Sequence, residues 1–529
     1  MTTQDVHKAD LLDQAIALAR HGTGHGGPPH DRVDALLRAY FRHVAPEDII
    51  ERNDVDLFGA LASHYKLAGE RPQGTARVRV FTPTLSAHGW SAGGHSVVEV
   101  VVDDMPFLVD SLTMELSRQL RGVHLVIHPR YDVVRDITGS LQEVCVVDDG
   151  QLQPAEGRVR ESWMHVEIDR IREGDDLGAI VDDIQRVLRD VRESGEDWDK
   201  MLAQVRRIVA GLETDPPPLS TGEIRQAAAL LAWLADEHFT FLGYREYALE
   251  RATIHDQEED VLRAVPGTGL GILRADQEMS ASFGRLPDMV KAKAREKTLL
   301  VLAKANSRAT VHRPAYLDYV GVKAFGPDGE VTGERRFLGL FSSSAYTESL
   351  LRIPLIREKA QAVLRHSGFD PRSHAGKALM DTLENYPRDE LFHTPVEELA
   401  PMAEAAMVAR ERRGLRILLR ADTYGRYVSV LVYLPRDRYN TGVRERFAQI
   451  LKQRLGGESI EFTVRINEST TARVHFVVHM PKGQPIPDGI DAQDLERRLS
   501  EASRSWKKKG MESWRGSTMS VTPGRGSST

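Results

Sequence analysis

The sequence is nearly without cysteine: Cys145 is the one thiol in 529 residues. A single thiol excludes an internal disulfide framework and any cysteine-rich zinc site. It lies in the strand-like run Glu143-Val144-Cys145-Val146-Val147, where a buried small hydrophobe is expected rather than a nucleophile. Long apolar runs are missing too. No stretch approaches the ~20 apolar residues of a membrane span, and the opening MTTQDVHKAD has no apolar signal core. A cytoplasmic protein without a membrane partner is expected. An excess of charge is also lacking. A formal net charge of -7 is small for this length and argues against nucleic acid as a partner.

What is present is an ordinary globular balance of 41% hydrophobic and 28% charged residues, enough for several cores. At about 100–200 residues per domain, three to five domains are expected. The expected fold class is multi-domain α+β. Residues 1–70 read as a helical segment, with apolar faces at Leu36, Leu37, Tyr40, Leu57 and Leu61. Residues 75–212 read as a ferredoxin-like unit. Arg77 to Phe81 alternates with period two, and Val97 to Val102 is a buried β-branched run. A helix then spans 107–120, with Pro106 suited to its first turn. Strands at 123–134, 142–147 and 162–168 and helices at 176–192 and 197–212 complete the unit. Pro216-Pro217-Pro218 marks a boundary.

Residues 220–345 begin with a helix over 221–237 and are then strand-rich, with a turn at Gly326-Pro327-Asp328-Gly329. Residues 346–398 form a helical connector, with a helix at 353–366 and a second segment at 376–392. Residues 400–505 form a second α+β unit, in which Gly456-Gly457 stops a helix over 441–455. Residues 506–529, rich in Lys, Gly, Ser and Thr, read as a disordered or aberrant tail.

Candidate chemistry is sparse. Gly267-Thr268-Gly269-Leu270-Gly271 lacks dinucleotide spacing and a P-loop lysine, so it reads as a turn. His21, His25 and His30 lie in a Gly-rich linker without a metal-ligand pattern. His124 and His128 share a strand face but sit more than about 12 Å apart, too far for one ion. Ser342-Ser343-Ser344 has cap or turn spacing and no paired base. Asp103 and Asp104, at a strand end before a helix, are expected to cap it; the alternative is a joint that faces a small charged ligand. Arg436 and Arg438, before the 441–455 helix, are expected to pair across an interface, or to hold an anion, with Asn440 or Thr441 as cap. No catalytic, cofactor-binding or metal site is readable.

Six stretches share a likeness: Asp103-Asp104-Met105-Pro106-Phe107-Leu108-Val109-Asp110-Ser111; His124 to Pro129; Glu161 to Glu167; His238 to Arg245; Tyr386-Pro387-Arg388-Asp389-Glu390-Leu391-Phe392; and Tyr433 to Thr441. Together, in order over roughly residues 30–500, they resemble the N-terminal half of the large bacterial NAD-specific glutamate dehydrogenases. That resemblance implies ACT-like domains at 75–212 and 400–505, a PAS-like domain at 220–345, and a homotetramer. It implies an amino-acid effector and, in the full-length family, NAD-linked conversion of glutamate to 2-oxoglutarate and ammonium.

The catalytic half, with its Rossmann NAD site and glutamate pocket, has no counterpart motif in these residues. A regulatory and oligomerisation segment of a truncated enzyme is therefore expected; a free-standing small-molecule sensor is the alternative. In one place the family pattern is broken. Amino-acid-binding ACT domains carry glycine after the proline of the strand-to-helix joint, and here that position is Phe107. A filled pocket and a packing or oligomer contact are expected there.

Overall fold

The structure, a computed structural model, describes residues 2–21, 27–147, 153–172, 174–254, 257–275, 295–411, 414–422, 424–466, 471–481, 484, 486–487 and 489–517. The histidine-rich linker and the end of the tail fall largely outside this set.

Helices Thr3–His21, Val33–Tyr40 and Asp54–Ala68 open the chain. Asn53 starts the third by accepting the amide of Asp56 at 2.8 Å. Their apolar faces share one core with the first sheet: Leu37, Tyr40 and Leu61 pack with Trp90, Val97, Val101, Tyr131 and Trp163. That sheet contains β1 (Arg77–Phe81), β2 (Ser96–Asp103), β3 (Val123–Ile127), β4 (Arg130–Arg135), β5 (Leu141–Val146) and β6 (Val159–Ile168). Its order is β1-β2-β6-β4-β5, and β3 also pairs with β6. Helices Leu108–Arg118 and Leu177–Glu196 cover the other face, where Leu112, Leu116, Ile184 and Val187 meet Val98, Val100, Met164 and Val166. Both faces of β2 are therefore buried, which is why its sequence is a continuous β-branched run.

The middle sheet contains β7 (Phe239–Ile254), β8 (Gln257–Ala264), β9 (Leu270–Gly271), β10 (Leu300–Arg308), β11 (Tyr316–Phe325) and β12 (Val331–Phe341). The order is β10-β11-β12-β7-β8, with β9 on β7. The expected turn joins β11 to β12, with the Gly329 amide 3.0 Å from the Gly326 carbonyl. The helix expected over 221–237 ends at Trp233, and a π-type turn over Leu234–His238 leads into β7. Helices Ile356–Ser367, His374–Glu384, Arg388–His393 and Val396–Glu411 follow. The second segment, over 376–392, forms two helices, because Pro387 cannot continue the first.

The last sheet contains β13 (Arg416–Ala421), β14 (Tyr427–Pro435), β15 (Ser459–Ile466) and β16 (Thr471–His479), in the order β13-β14-β16-β15. Helices Thr441–Leu455 and Ala492–Ser517 lie on one face. Gly456 ends the first of these at φ 69°, a left-handed conformation that favours glycine. Asn440 begins it by accepting the Val443 amide at 2.9 Å. Replacing Asn440 with Ala should cost about 1 kcal/mol, read as a lower urea midpoint. An unchanged midpoint would show that other contacts hold this helix end.

Both outer units run strand-strand-helix-strand-strand-helix, with β4 and β5 as an added hairpin in the first. In each, the edge strand beside the central pair precedes that pair in the chain. In the first unit the two strands expected before the helix are both present, with β4 and β5 added.

Candidate functional site

The strand-to-helix joint after β2 is assembled from distant partners. Asp103 accepts from Arg71 Nη2 at 2.6 Å. Arg71 also donates to Glu161 at 2.6 Å and to the Thr75 carbonyl at 2.9 Å. Arg135 forks onto both oxygens of Glu161 at 2.6 and 2.9 Å, and Trp163 Nε1 adds a third donor at 3.0 Å. Glu161 is completely buried. Burial alone would raise its carboxyl pKa, yet Arg135 and Arg71 hold it below the usual range. Asp104 takes the hydroxyl of Ser162, which also bonds His128 Nε2 at 2.9 Å.

Neither aspartate caps the following helix, which corrects that expectation. The N-cap is Phe107, at φ 70° with no side-chain cap, and Pro106 precedes the helix rather than opening it. The carboxylates are consumed instead by Arg71 and Ser162, partners too distant in sequence to be read locally. The Phe107 ring lies 4.5 Å from that of His312, on the loop between β10 and β11. Ser111 Oγ donates to the Phe107 carbonyl at 2.6 Å and accepts the His312 amide at 3.1 Å. The joint is thus a seat for the middle unit. Arg436 and Arg438 lie elsewhere, in a 3-10 turn after β14, the first exposed and the second half-buried.

A denser constellation lies where the middle sheet, the helical segment and the last sheet meet. It is built on Tyr386 to Phe392. Arg388 donates to the Glu348 carbonyl at 2.8 Å and to Glu384 at 3.0 Å. Asp389 accepts from Tyr346 Oη at 3.0 Å and faces Lys304 Nζ at 3.3 Å. Lys304, on β10, reaches Asp318 of β11 at 2.6 Å. Glu390 takes a two-point contact from Arg420 of β13, at 2.7 and 3.0 Å. Arg420 also reaches Tyr427 Oη at 3.1 Å. His475 of β16 lies 3.8 Å from Glu390 and bonds Ser429 at 2.9 Å. Lys359 Nζ closes the end of the short helix on the carbonyls of Leu391, Phe392 and Thr394.

The electrostatics follow from burial. Lys359 is pulled down to about 8 by desolvation, with Arg420 adding repulsion. His393 is pushed down to about 3, chiefly by burial, and is neutral. Burial pushes Asp318 up, whereas Lys304 holds Asp389 down. The carboxylates are met by Lys304 and Arg420, and Lys359 is held by three carbonyls, so the cluster fixes geometry rather than offering a reactive group. Sequence reasoning did not single out Lys304, Asp318 or Arg420, and named Glu390 only within the family-like stretch Tyr386 to Phe392. The one local signal was the density of charge in Arg388-Asp389-Glu390, between apolar residues that end up buried.

The remaining candidates disperse. His124 pairs with Asp169 and His128 with Ser162, as separate contacts. Cys145 is only half-buried on edge strand β5, with Arg32 Nη1 at 3.4 Å. This corrects the expectation of a buried thiol; β5 pairs only with β4 and leaves that side open. Gly269 and Gly271 are close-packing positions, where a Cβ would sit 2.3 Å from the Leu273 carbonyl and 2.1 Å from that of Leu242. Ser342 and Ser344 both reach the Glu237 carbonyl. The described residues hold no cluster of three or more His, Cys, Asp or Glu suited to a metal. Among them no helix is long and apolar enough to cross a membrane.

Comparison with known proteins matches three family descriptions. Residues 36–184 match the glutamate dehydrogenase ACT1 domain, 353–412 its helical motif 1, and 416–507 its ACT2 domain. The first match covers two of the N-terminal helices together with their sheet, in keeping with their shared core. An NAD-specific glutamate dehydrogenase of Pseudomonas aeruginosa is 37% identical over 503 residues, covering 94% of this chain and 30% of that protein. The enzyme of the same name from Halomonas elongata is 35% identical over 478 residues, 90% of this chain and 29% of its own length. That of Mycobacterium tuberculosis is 31% identical over 457 residues, 84% and 26% respectively. The chain spans less than a third of the length of these curated relatives. Spanning both ACT domains and the helical motif between them, the chain belongs to the bacterial NAD-specific glutamate dehydrogenase family.

Proposed function

We propose that this chain is a regulatory and oligomerisation region of an NAD-dependent glutamate dehydrogenase. In this reading it organises the enzyme and transmits effector state, while residues outside it bind NAD and oxidise glutamate to 2-oxoglutarate and ammonium. The middle unit acts as a PAS-like domain, the assembly is a cytoplasmic homotetramer, and an amino acid is the effector class. The observation that carries the reading is the junction around Tyr386 to Phe392. There Lys304, Asp389, Glu390 and Arg420 are spent on joining units, as a scaffold requires and a catalytic pocket does not. A middle sheet whose first strand lies between its second and its last supports the PAS-like assignment.

The purified chain with glutamate and NAD should form no NADH, and measurable turnover would overturn the proposal. Sedimentation should show a tetramer. A monomer at every concentration would remove the assembly role.

A further inference from the structure

Next to the junction, β15 and β16 set two arginines directly opposite each other. Arg465 pairs with Arg473 in the register, and Arg473 with Tyr433 of β14. Like charges in opposed positions destabilise a sheet unless something lies between them. Arg410, at the end of helix Val396–Glu411, brings a third guanidinium to the same cavity. Thr382, Asn385 and Thr471 line it as well.

Their partners leave charge uncompensated. Arg410 is neutralised by Asp381 at 2.7 Å and donates to Thr382 at 3.1 Å. Arg473 donates to the Asn385 carbonyl, which is neutral, and its buried Nε has no hydrogen-bond partner. Arg465 is exposed and has no acidic partner among the described residues. Burial, with Arg465 and Arg410 adding repulsion, lowers Arg473 to about 10. Two guanidinium groups without an acidic partner among the described residues therefore line one half-open space. That space is about 30 Å³, room for about two or three water-sized atoms. It fits the head of a small oxyanion rather than a whole nucleotide or amino acid.

We infer that Arg410, Arg465 and Arg473 form a binding site for a dianionic phosphate group. Arg465 and Arg473 supply forked donors, which match phosphate oxygens better than ammonium groups do. Arg410 is held in place by Asp381, and the Thr382 and Thr471 hydroxyls border the site. Because the cavity touches β14, β15, β16 and the helical segment together, its occupant would tie the last sheet to that segment. A free phosphate ion and the terminal phosphate of a larger metabolite would present the same group.

The test is calorimetric titration of the full chain with inorganic phosphate, against sodium chloride at matched ionic strength, and with AMP in a parallel arm. Saturable phosphate binding absent with chloride is expected. Arg465→Gln, on an exposed side chain, should weaken it about tenfold or more, and Arg473→Lys should weaken it despite keeping the charge. AMP binding tighter than phosphate would identify a phosphorylated metabolite, and equal or weaker binding the free ion; either supports the site. Phosphate indistinguishable from chloride, or unaltered by Arg465→Gln in a folded chain, overturns it.

Discussion

Replacing Glu390 with Ala is expected to destabilise the last sheet and its docking by about 3–5 kcal/mol. Glu390 and Arg420 are almost wholly buried, with side chains 2% and 3% exposed, and they meet at two points. Deleting the carboxylate leaves a guanidinium out of water with only Tyr427 for company, and that loss exceeds the worth of the pair itself. Hydrogen exchange on the amides of β14 and β16 should accelerate by about two to four powers of ten. The compensating double change, Glu390→Leu with Arg420→Met, removes both charges and should restore most of the protection. Exchange rates within tenfold of the parent in the single variant would show that the pair does not hold the junction.

The second large effect is acid sensitivity well above the carboxylate range. His64 is buried, His393 is half-buried, and both are neutral. Burial chiefly pushes the first down to about 4 and the second to about 3. His64 is satisfied as a neutral ring, with Tyr40 Oη at 2.9 Å from Nδ1 and the Val100 carbonyl at 3.1 Å from Nε2. In the unfolded chain both titrate near 6.5, so below that pH the unfolded state binds protons that the folded state refuses. Stability is intact above about 6.5 and is lost as pH falls toward the folded values. By pH 5.5 each histidine removes about 1.4 kcal/mol, about 3 kcal/mol together.

Asp318, pushed up to about 6 by burial, works in the opposite direction, gaining stability as pH falls from about 6 to the usual carboxylate range, so it offsets part of the loss by pH 5.5. The double variant His64→Gln with His393→Gln isolates the share of these two from that of His128, His312 and His475, which burial also lowers. Urea midpoints at about pH 7.5 and 5.5 should differ clearly in the parent and much less in the variant. A parent insensitive over this window, or a variant with the same slope, would sink the assignment.

Elements whose pattern is local were legible in the sequence. The run Val97 to Val102 declared a strand buried on both faces, and Asn440 with Gly456 marked both ends of a helix. Helix Val396–Glu411 was harder to read. Pro401 signals a break, and Ala400, Ala403, Ala406 and Ala409, all buried, carry little apolar contrast. Strand β8 was missed because Gln257-Glu258-Glu259-Asp260 looks like a solvated loop; it is an edge strand paired only to β7, where charge is tolerated. The joint was located, but its chemistry was misread. Asp103 and Asp104 look like caps until Arg71 and Ser162 come into view. Ion pairs such as the half-buried Lys304 with Asp389 and the buried Glu390 with Arg420 have no local signature, since charged residues in short helices are usually exposed.

The placement of β1 and β13 has a consequence for synthesis. Each enters its sheet beside a strand that follows it in the chain. When the closing strand of either outer unit leaves the ribosome, all of that unit's other strands are already available. Until then one edge of β2 or β14 stays open, because its second neighbour, β6 or β16, is the last strand of the unit to be made, and it is there that a nascent chain could recruit a neighbour.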